Sequence, residues 1–371
     1  SARGWRTDTH CSSGAAADGL HARARRLGLD PFAIEVVNLG TYCALAHAGR
    51  DATEQAALLL EAGLARGRAH RDIGPEGLKP VFCWDQKMDR RSLFTLPPLR
   101  YETVPSIREA ACVAARGCRV CVTTCPRDAL APSDGHRILL HKAQCTGCGA
   151  CVSACPVGAI DFPGASLVQL EGQIEALLSA GAFDSSPPGI LFLCARALPT
   201  LERLVRSGVR YPAGWLPVEV PCIGMVTSSW VLACLHRGAA AVGLLPCGQD
   251  DCRFGRRDVV EGHVSYCHEV LQLLGAPHEA VRLLDLADQE RLAQSLASLP
   301  DRAPEPAGGA SRGGPALRLD RGTAAEAVLG LTRRYGASLD RTLVHRHSPL
   351  GVVTLREGCT TCGACVSACP T

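Results

Sequence analysis

The chain has 371 residues, 47% of them apolar and only 4% aromatic, with a formal net charge of +3. That length bounds two or three domains able to bury ordinary cores, and no run of about 18 uncharged apolar residues offers a membrane span. Its 21 cysteines cluster at metal-type spacing instead of spreading as a disulfide framework, which argues against a small secreted scaffold and for a reducing compartment, the cytoplasm. Nothing near Ser1 resembles a signal peptide. The chain opens without methionine and stops one residue after Pro370, so both ends read as cuts in a longer sequence.

Residues 1–72 read as part of an α/β unit. A helical pattern runs from Gly14 to Gly28, an apolar strand run from Phe32 to Leu39, and a helix from Asp51 to Gly67 with Asp51 or Thr53 able to cap it. Cys11 and Cys43 flank these elements; by spacing alone they are lone thiols of the kind that fill cores. Residues 73–100 are rich in proline, glycine and charge and read as a connector. Cys83 within it reads as structural.

Residues 101–165 carry an internal duplication of strand, loop and helix, the signature of an α+β two-cluster ferredoxin module. A strand run from Tyr101 to Ile107 leads into Cys112, Cys118, Cys121 and Cys125, with Pro126 behind. A second strand, Ile138 to His141, leads into Cys145, Cys148, Cys151 and Cys155, with Pro156 behind. The second run has the spacing C-x2-C-x2-C-x3-C-P of a 4Fe–4S cubane. Three thiolates two residues apart wrap one face of the cluster, and Gly147 and Gly149 let the backbone amides close on its sulfides. A zinc site built from C-x2-C pairs is the chemical rival. The first run is irregular, with five residues between Cys112 and Cys118. Either the extra residues bulge outward and Cys112 still reaches iron, the reading favoured here, or Cys112 is packing. In two-cluster ferredoxins the fourth cysteine of each run serves the other cluster. One set is then Cys112, Cys118, Cys121 and Cys155; the other is Cys145, Cys148, Cys151 and Cys125.

Residues 187–290 alternate β and α with nearly continuous apolar strands, which predicts a doubly wound parallel sheet. Strands are expected at Gly189–Cys194, Leu216–Cys222, Ala240–Cys247 and Val281–Leu286. Helices are expected at Leu198–Ser207, Val226–His236 and Gly255–Leu274. Cys194, Cys222 and Cys247 then fall at the carboxyl ends of strands, the edge where ligands gather in such sheets, and Cys252 follows in the next loop. Four thiolates converging from separate loops suit a 2Fe–2S cluster; zinc is again the rival. A thiol or disulfide reductase site there is the alternative function. Cys234 and Cys267 fall inside helices and read as packing. Arg253, Arg256 and Arg257 follow Cys252, where they raise a cluster's potential, dock an acidic partner, or form a solvated helix start. The histidines show no spacing of a metal or catalytic pair.

Residues 291–317 read as a mobile linker rich in proline, glycine and alanine, and residues 318–371 as a carboxy-terminal ferredoxin segment cut short. A helical pattern spans Ala324 to Tyr335. Then Cys359 to Pro370 matches Cys145 to Pro156 at eleven of twelve positions, so Cys359, Cys362 and Cys365 offer another cubane loop; Cys369 either serves a partner cluster or completes the same one, or one iron is left open. Each filled cubane contributes about −2 net charge, so the basic balance of the bare chain is no argument for nucleic acid.

Three stretches carry family resemblances. HCSSG, GLDPFAIEVVNLGTYCALAH and ATEQAALLLEAGLARG, over residues 10–67, resemble the amino-terminal domain of the flavin-domain subunit of heterodisulfide reductase (HdrA). That likeness implies that Cys11 and Cys43 are cluster ligands, with a further 4Fe–4S site there. The family continues into a G-x-G-x-x-G flavin fold, and no such motif follows Arg71, so FAD is not expected on this chain. QCTGCGACVSACPVGAIDF resembles the ferredoxin insert of the same reductase family. VPCIGMVTSSWVLACLHRGAAAVGLLPCGQDDCRFG is similar to the delta, iron–sulfur subunit of methyl-viologen-reducing hydrogenase, which implies a 2Fe–2S cluster. That family has a cysteine pair near the first strand; here Cys194 is kept and Ala197 stands at the second place. The same combination occurs in flavoprotein subunits of quinone-interacting oxidoreductases. The resemblances imply a multi-cluster electron-transfer subunit that relays single electrons between a hydrogenase or formate dehydrogenase and a reductase of heterodisulfide reductase type.

Overall fold

The computed structural model describes residues 20, 23–24, 26–71, 74–82, 99–134, 136–179, 187–248, 252–284, 288–300, 316–338, 341–351, 357, 359–360 and 362. Among them the chain is a mixed α/β structure. A four-stranded parallel sheet, two short antiparallel pairs of ferredoxin type, and one further hairpin are joined by helices.

The parallel sheet is built from β7 (Gly189–Cys194), β8 (Trp215–Val220), β9 (Ala241–Leu245) and β10 (Val281–Leu283), in the order β10-β9-β7-β8. β7 and β9 are buried at every position, as strands covered on both faces must be. Phe192 stacks near Trp230, with ring centroids 6.1 Å apart, and both are fully buried; each contributes roughly 1.5–3 kcal/mol by burial. The indole of Trp215 lies over Gly189, where a Cβ would stand 2.9 Å from the ring. The connecting helices α5 (Leu198–Arg206), α6 (Ser228–Arg237) and α7 (Arg257–Leu273) are those the periodicity predicts, shifted by at most two residues at their ends.

The ferredoxin module shows its approximate twofold in strand pairing. β3 (Ser106–Ile107) pairs antiparallel with β6 (Ile160–Asp161). β4 (Leu130–Ser133) pairs antiparallel with β5 (Arg137–Leu140). The short helices α2 (Val120–Thr124) and α3 (Ala150–Ala154) pack together between them. Arg108 locks the module's ends, paired with Asp161 at 2.8 Å.

Several expectations need correction. Phe32–Leu39 is not a strand: Pro31–Ala33 forms a 3₁₀ turn and 34–38 is irregular. The reason is Glu35, which turns inward to Arg66 (3.5 Å), and Asn38, whose Oδ1 accepts the Thr41 amide (3.0 Å) to start the next turn. The following helix, α1, spans Gly49–Arg68; Ala48 is its cap and makes no side-chain cap bond. Thr53 instead donates back to the Gly49 carbonyl (3.3 Å). The connector reading fails at both ends of 73–100, because β1 (Leu78–Phe82) pairs antiparallel with β2 (Leu99–Thr103). Charge and proline content hid two edge strands with ordinary registers. The linker reading fails for 291–300. Gln289–Ala297 is a helix, α8, capped by Asp288 Oδ1 accepting the Arg291 amide (2.8 Å), with Leu292 and Leu296 buried. Trp215 Nε1 donates to the Pro300 carbonyl (3.1 Å). Residues 301–315, and Cys11 and Cys83, lie outside the described residues.

The amino-terminal segment is pinned to the sheet by buried polar groups. Gln55 Nε2 donates to the carbonyls of Ala213 (3.2 Å) and Trp215 (3.3 Å). Arg66 donates to Gln173 Oε1 (2.8 Å) and to the Glu219 carbonyl (3.3 Å). The Tyr42 hydroxyl donates to Glu219 Oε2 (3.2 Å). α1 runs along α4 (Leu167–Ser179), and α9 (Ala324–Tyr335) lies on α6.

Candidate iron-sulfur sites

Each ferredoxin run brings its first three cysteines into one loop because α2 or α3 is a single turn, too short to carry the third away. The fourth residue then exits in extended conformation, Cys125 at φ −69, ψ 118 and Cys155 at φ −68, ψ 116. It therefore crosses to the other side. Cys125 joins Cys145, Cys148 and Cys151 around one cavity, walled by Pro105, Leu130 and Leu140. Cys155 joins Cys112, Cys118 and Cys121 around the other, walled by Ile107, Ile138 and Ile160. The irregular spacing is absorbed locally: Cys112 ends one 3₁₀ turn, Glu109–Ala111, and a second, Ala114–Arg116, takes up the extra residues. Arg119 Nη1 staples that bulge to the carbonyls of Ala114 (2.9 Å) and Cys118 (2.7 Å).

Backbone amides point at the sulfurs. Ala129 N–H donates to Cys125 Sγ (3.3 Å), Gly147 N–H to Cys145 Sγ (3.4 Å) and Ala159 N–H to Cys155 Sγ (3.2 Å). Burial pushes the Cys121 thiol up to about 11, and Cys151 well above its ordinary value, with the neighbouring cysteines adding to both. Sulfurs held this way ionise only against a positively charged core, and amide donors are what iron–sulfur ligands receive. Gly147 (φ +67) and Gly149 (φ +74) make the loop narrow: a Cβ would stand 2.7 Å from the Thr103 carbonyl oxygen or 2.8 Å from Met225 Sδ. The donor set and the cradle both fit a cubane.

The third group follows from strand order. β7 lies between β8 and β9, so Cys194 at its end is flanked by Cys222 beyond β8 and Cys247 beyond β9. The chain's winding reverses here, at the crevice where such sheets take ligands. The sulfurs of Cys194, Cys222, Cys247 and Cys252 form a ring in which Cys222 and Cys247 each bear on both Cys194 and Cys252. Those contacts pull Cys194 and Cys252 down, against the opposing effect of burial, and push Cys222 and Cys247 up. Among the described residues no three Cys, His, Asp or Glu side chains close around the position of a single ion; what the fold supplies is sulfurs gathered in two cavities and a ring. The described cysteines are free of disulfides.

The other cysteines stand apart. Cys234 and Cys267 are buried within α6 and α7, and burial pushes Cys234 up to about 12. Cys43 is buried in the turn Gly40–Ala44, its thiol pushed up to about 12 by burial; it lines neither cavity and is not in the ring. Cys359 and Cys362 are exposed, while Cys365 and Cys369 lie outside the described residues. Of the arginines after Cys252, Arg256 pairs with Asp258 and Arg257 with Glu261 on the helix start.

Sequence reasoning missed the seam between the two kinds of site. The loop carrying Cys145–Cys151 packs on Met225, which ends the 3₁₀ turn after Cys222. Thr146 Oγ1 donates to the carbonyl of Arg253 (2.8 Å), the residue after Cys252. Lys79, from the hairpin read as connector, donates to the Cys145 carbonyl (2.6 Å). The arginine was visible beside its cysteine; no local signal marks Lys79 or Met225.

Residues 190–302 match the family model of the delta subunit of methyl-viologen-reducing hydrogenase. The chain therefore carries a hydrogenase delta-type domain, and that domain contains the whole sulfur ring. Residues 139–161 match a 4Fe–4S binding domain, and residues 109–128 and 356–371 match a second 4Fe–4S domain model. The chain is an iron–sulfur protein of oxidoreductase type, with domains that serve electron transfer in hydrogenase-like complexes. No curated protein matches it. No described helix is long and apolar enough to cross a membrane.

Proposed function

We propose that this chain is the iron–sulfur electron-transfer subunit of an anaerobic oxidoreductase complex of heterodisulfide reductase and hydrogenase type. It relays single electrons between a hydrogenase or formate dehydrogenase and a reductase partner. The observation that carries this reading is the seam: the loop of Cys145–Cys151 rests on the residues that follow Cys222 and Cys252. Two cysteine sites built by different folds are thereby held loop to loop.

In this reading Cys125, Cys145, Cys148 and Cys151 hold one 4Fe–4S cluster, and Cys112, Cys118, Cys121 and Cys155 hold a second. Cys194, Cys222, Cys247 and Cys252 hold a 2Fe–2S cluster, and Cys359, Cys362, Cys365 and Cys369 a further cubane. The resemblance to the flavin-domain subunit of heterodisulfide reductase adds Cys11 and Cys43 as ligands, and FAD is not expected on this chain. Clusters, when bound, supply one-electron carriers. The protein's part is to hold their thiolates, exclude water with Leu130, Leu140, Ile138 and Ile160, and direct amides at the sulfurs. Iron-bound thiolates need a reducing compartment, which the cytoplasm provides.

Iron and acid-labile sulfide counting, with low-temperature EPR on anaerobically purified protein, tests the proposal. Both cubane and 2Fe–2S signals are expected. Colourless protein containing zinc and no sulfide overturns it.

A second reading is favoured by the depressed thiols of the ring: Cys194 and Cys252 acting in thiol or disulfide exchange. Cys194 is 1% exposed, which leaves only Cys252 open to a substrate. Turnover of a disulfide acceptor by this chain without partners would favour that reading.

A further inference from the structure

The two cubane sites differ in what surrounds them. The cavity of Cys125, Cys145, Cys148 and Cys151, the proximal one, lies at the seam; that of Cys112, Cys118, Cys121 and Cys155 does not touch it. Arg253 joins the proximal loop to the ring in two ways. Its carbonyl accepts the Thr146 hydroxyl at 2.8 Å. Its Nη1 donates to the Gly147 carbonyl at 3.5 Å. Thr146 lines the proximal cavity, so one hydrogen bond links the peptide next to Cys252 with the residue next to Cys145. The Nε of Arg253 is buried and has no hydrogen-bond partner among the described residues, so its charge is only partly answered. Lys79, the other cation on this loop, donates to the Cys145 carbonyl at 2.6 Å. Lys79 shares its charge with Glu102 at 3.2 Å, so of the two cations Arg253 is the less neutralised.

A reduced cubane carries one more negative charge than an oxidised one, and a nearby unscreened cation favours the reduced form. We infer that Arg253 is a positioning residue that holds the proximal cubane at a higher potential than the distal one, making it the port where electrons cross between the ring and the ferredoxin module. This rests on the electron-transfer reading above. With clusters bound, Cys194, Cys222, Cys247 and Cys252 would hold one partner of a one-electron exchange and Cys125, Cys145, Cys148 and Cys151 the other, one being oxidised as the other is reduced, with no bond made or broken.

The test is a redox titration followed by EPR on whole anaerobic protein, comparing the parent with Arg253→Gln and Arg253→Lys. The proximal signal is the one removed by Cys148→Ala. With Arg253→Gln, the ratio of reduced to oxidised proximal cubane at a fixed poise should fall about tenfold, or about 59 mV for one electron, with the distal couple unmoved. Arg253→Lys should restore most of it. Unmoved couples, or equal shifts in both, overturn the inference. Should Arg253→Gln lose iron, Lys79→Gln decides: a smaller shift confined to the proximal couple supports the inference, and none overturns it. A parent without cubane signals overturns the electron-transfer reading as well, whereas a parent with them and a silent variant overturns this inference alone.

Discussion

The ferredoxin module and the parallel-sheet domain solve one problem by opposite means. In the module, three cysteines of each site come from a single short loop, and only the fourth crosses over. In the sheet, the sulfurs of Cys194, Cys222, Cys247 and Cys252 arrive from strand ends and loops spread over 58 positions (252 − 194). A local loop can shape its site before the rest of the chain folds, whereas a site made of strand ends exists only once the sheet has formed. The difference teaches that the ring depends on global stability and the cavities on local turns.

The largest effects should come from removing single sulfurs. Cys148→Ala should lose the proximal cubane, about four iron atoms per chain, and leave the ring's iron in place. Cys222→Ala should do the reverse. Iron counting with EPR checks this, and loss at both sites from either change would break the contrast. Next come the glycines under each region. Gly147→Ala puts a Cβ 2.7 Å from a backbone oxygen at φ +67 and should cost about 3 kcal/mol. Gly189→Ala meets the Trp215 ring at 2.9 Å, where the backbone is ordinary but the indole is buried and bonded to the Pro300 carbonyl, and should cost about 2 kcal/mol. Denaturant unfolding should rank them in that order.

A smaller effect separates the regions by pH. Burial holds His47, edge-on to Tyr211 of the sheet domain, down to about 4. Its folded value lies below the unfolded 6.5, so the folded state binds fewer protons in that window. The stability is present above pH 6.5 and is lost as pH falls toward 4. The loss should be about 2 kcal/mol, discounted for partial exposure, and His47→Gln should flatten the profile. The smallest expected effect is at Glu175. Burial opposes its charge, but the Arg237 guanidinium and the Leu317 amide hold it below the usual carboxylate range. Glu175→Gln should cost about 1 kcal/mol, and wild-type stability should fall as acid protonates that carboxylate.

Legibility followed the same divide. The order of strands and helices across 189–283 was readable, because fully buried parallel strands are continuous apolar runs and their ends fall at glycines and cysteines. The convergence of Cys194, Cys222 and Cys247 on one edge was readable too, since the winding of such sheets is restricted. The hairpin of β1 and β2 was not, because Pro80 and flanking charges disguise strands that pair at an edge. Nor was α8, whose cap Asp288 and buried Leu292 and Leu296 sit beside a compositionally linker-like stretch. The run Phe32–Leu39 has strand composition, but Glu35 is held inward by Arg66 and the run pairs with no strand among the described residues.

By itself the sequence determined that iron–sulfur ligands are present and how they divide into runs, because thiolate spacing within a loop is a local geometric constraint. It also determined that a parallel sheet would carry more cysteines at its carboxyl edge. Only the tertiary structure decided that Cys194 would stand between Cys222 and Cys247, and that Lys79, Met225 and Arg253 would meet the Cys145 loop. Those meetings depend on how two surfaces pack, and packing is set by shape and polar bonds between residues far apart in the chain, 66 positions from Lys79 to Cys145 and 107 from Thr146 to Arg253, which no local pattern encodes.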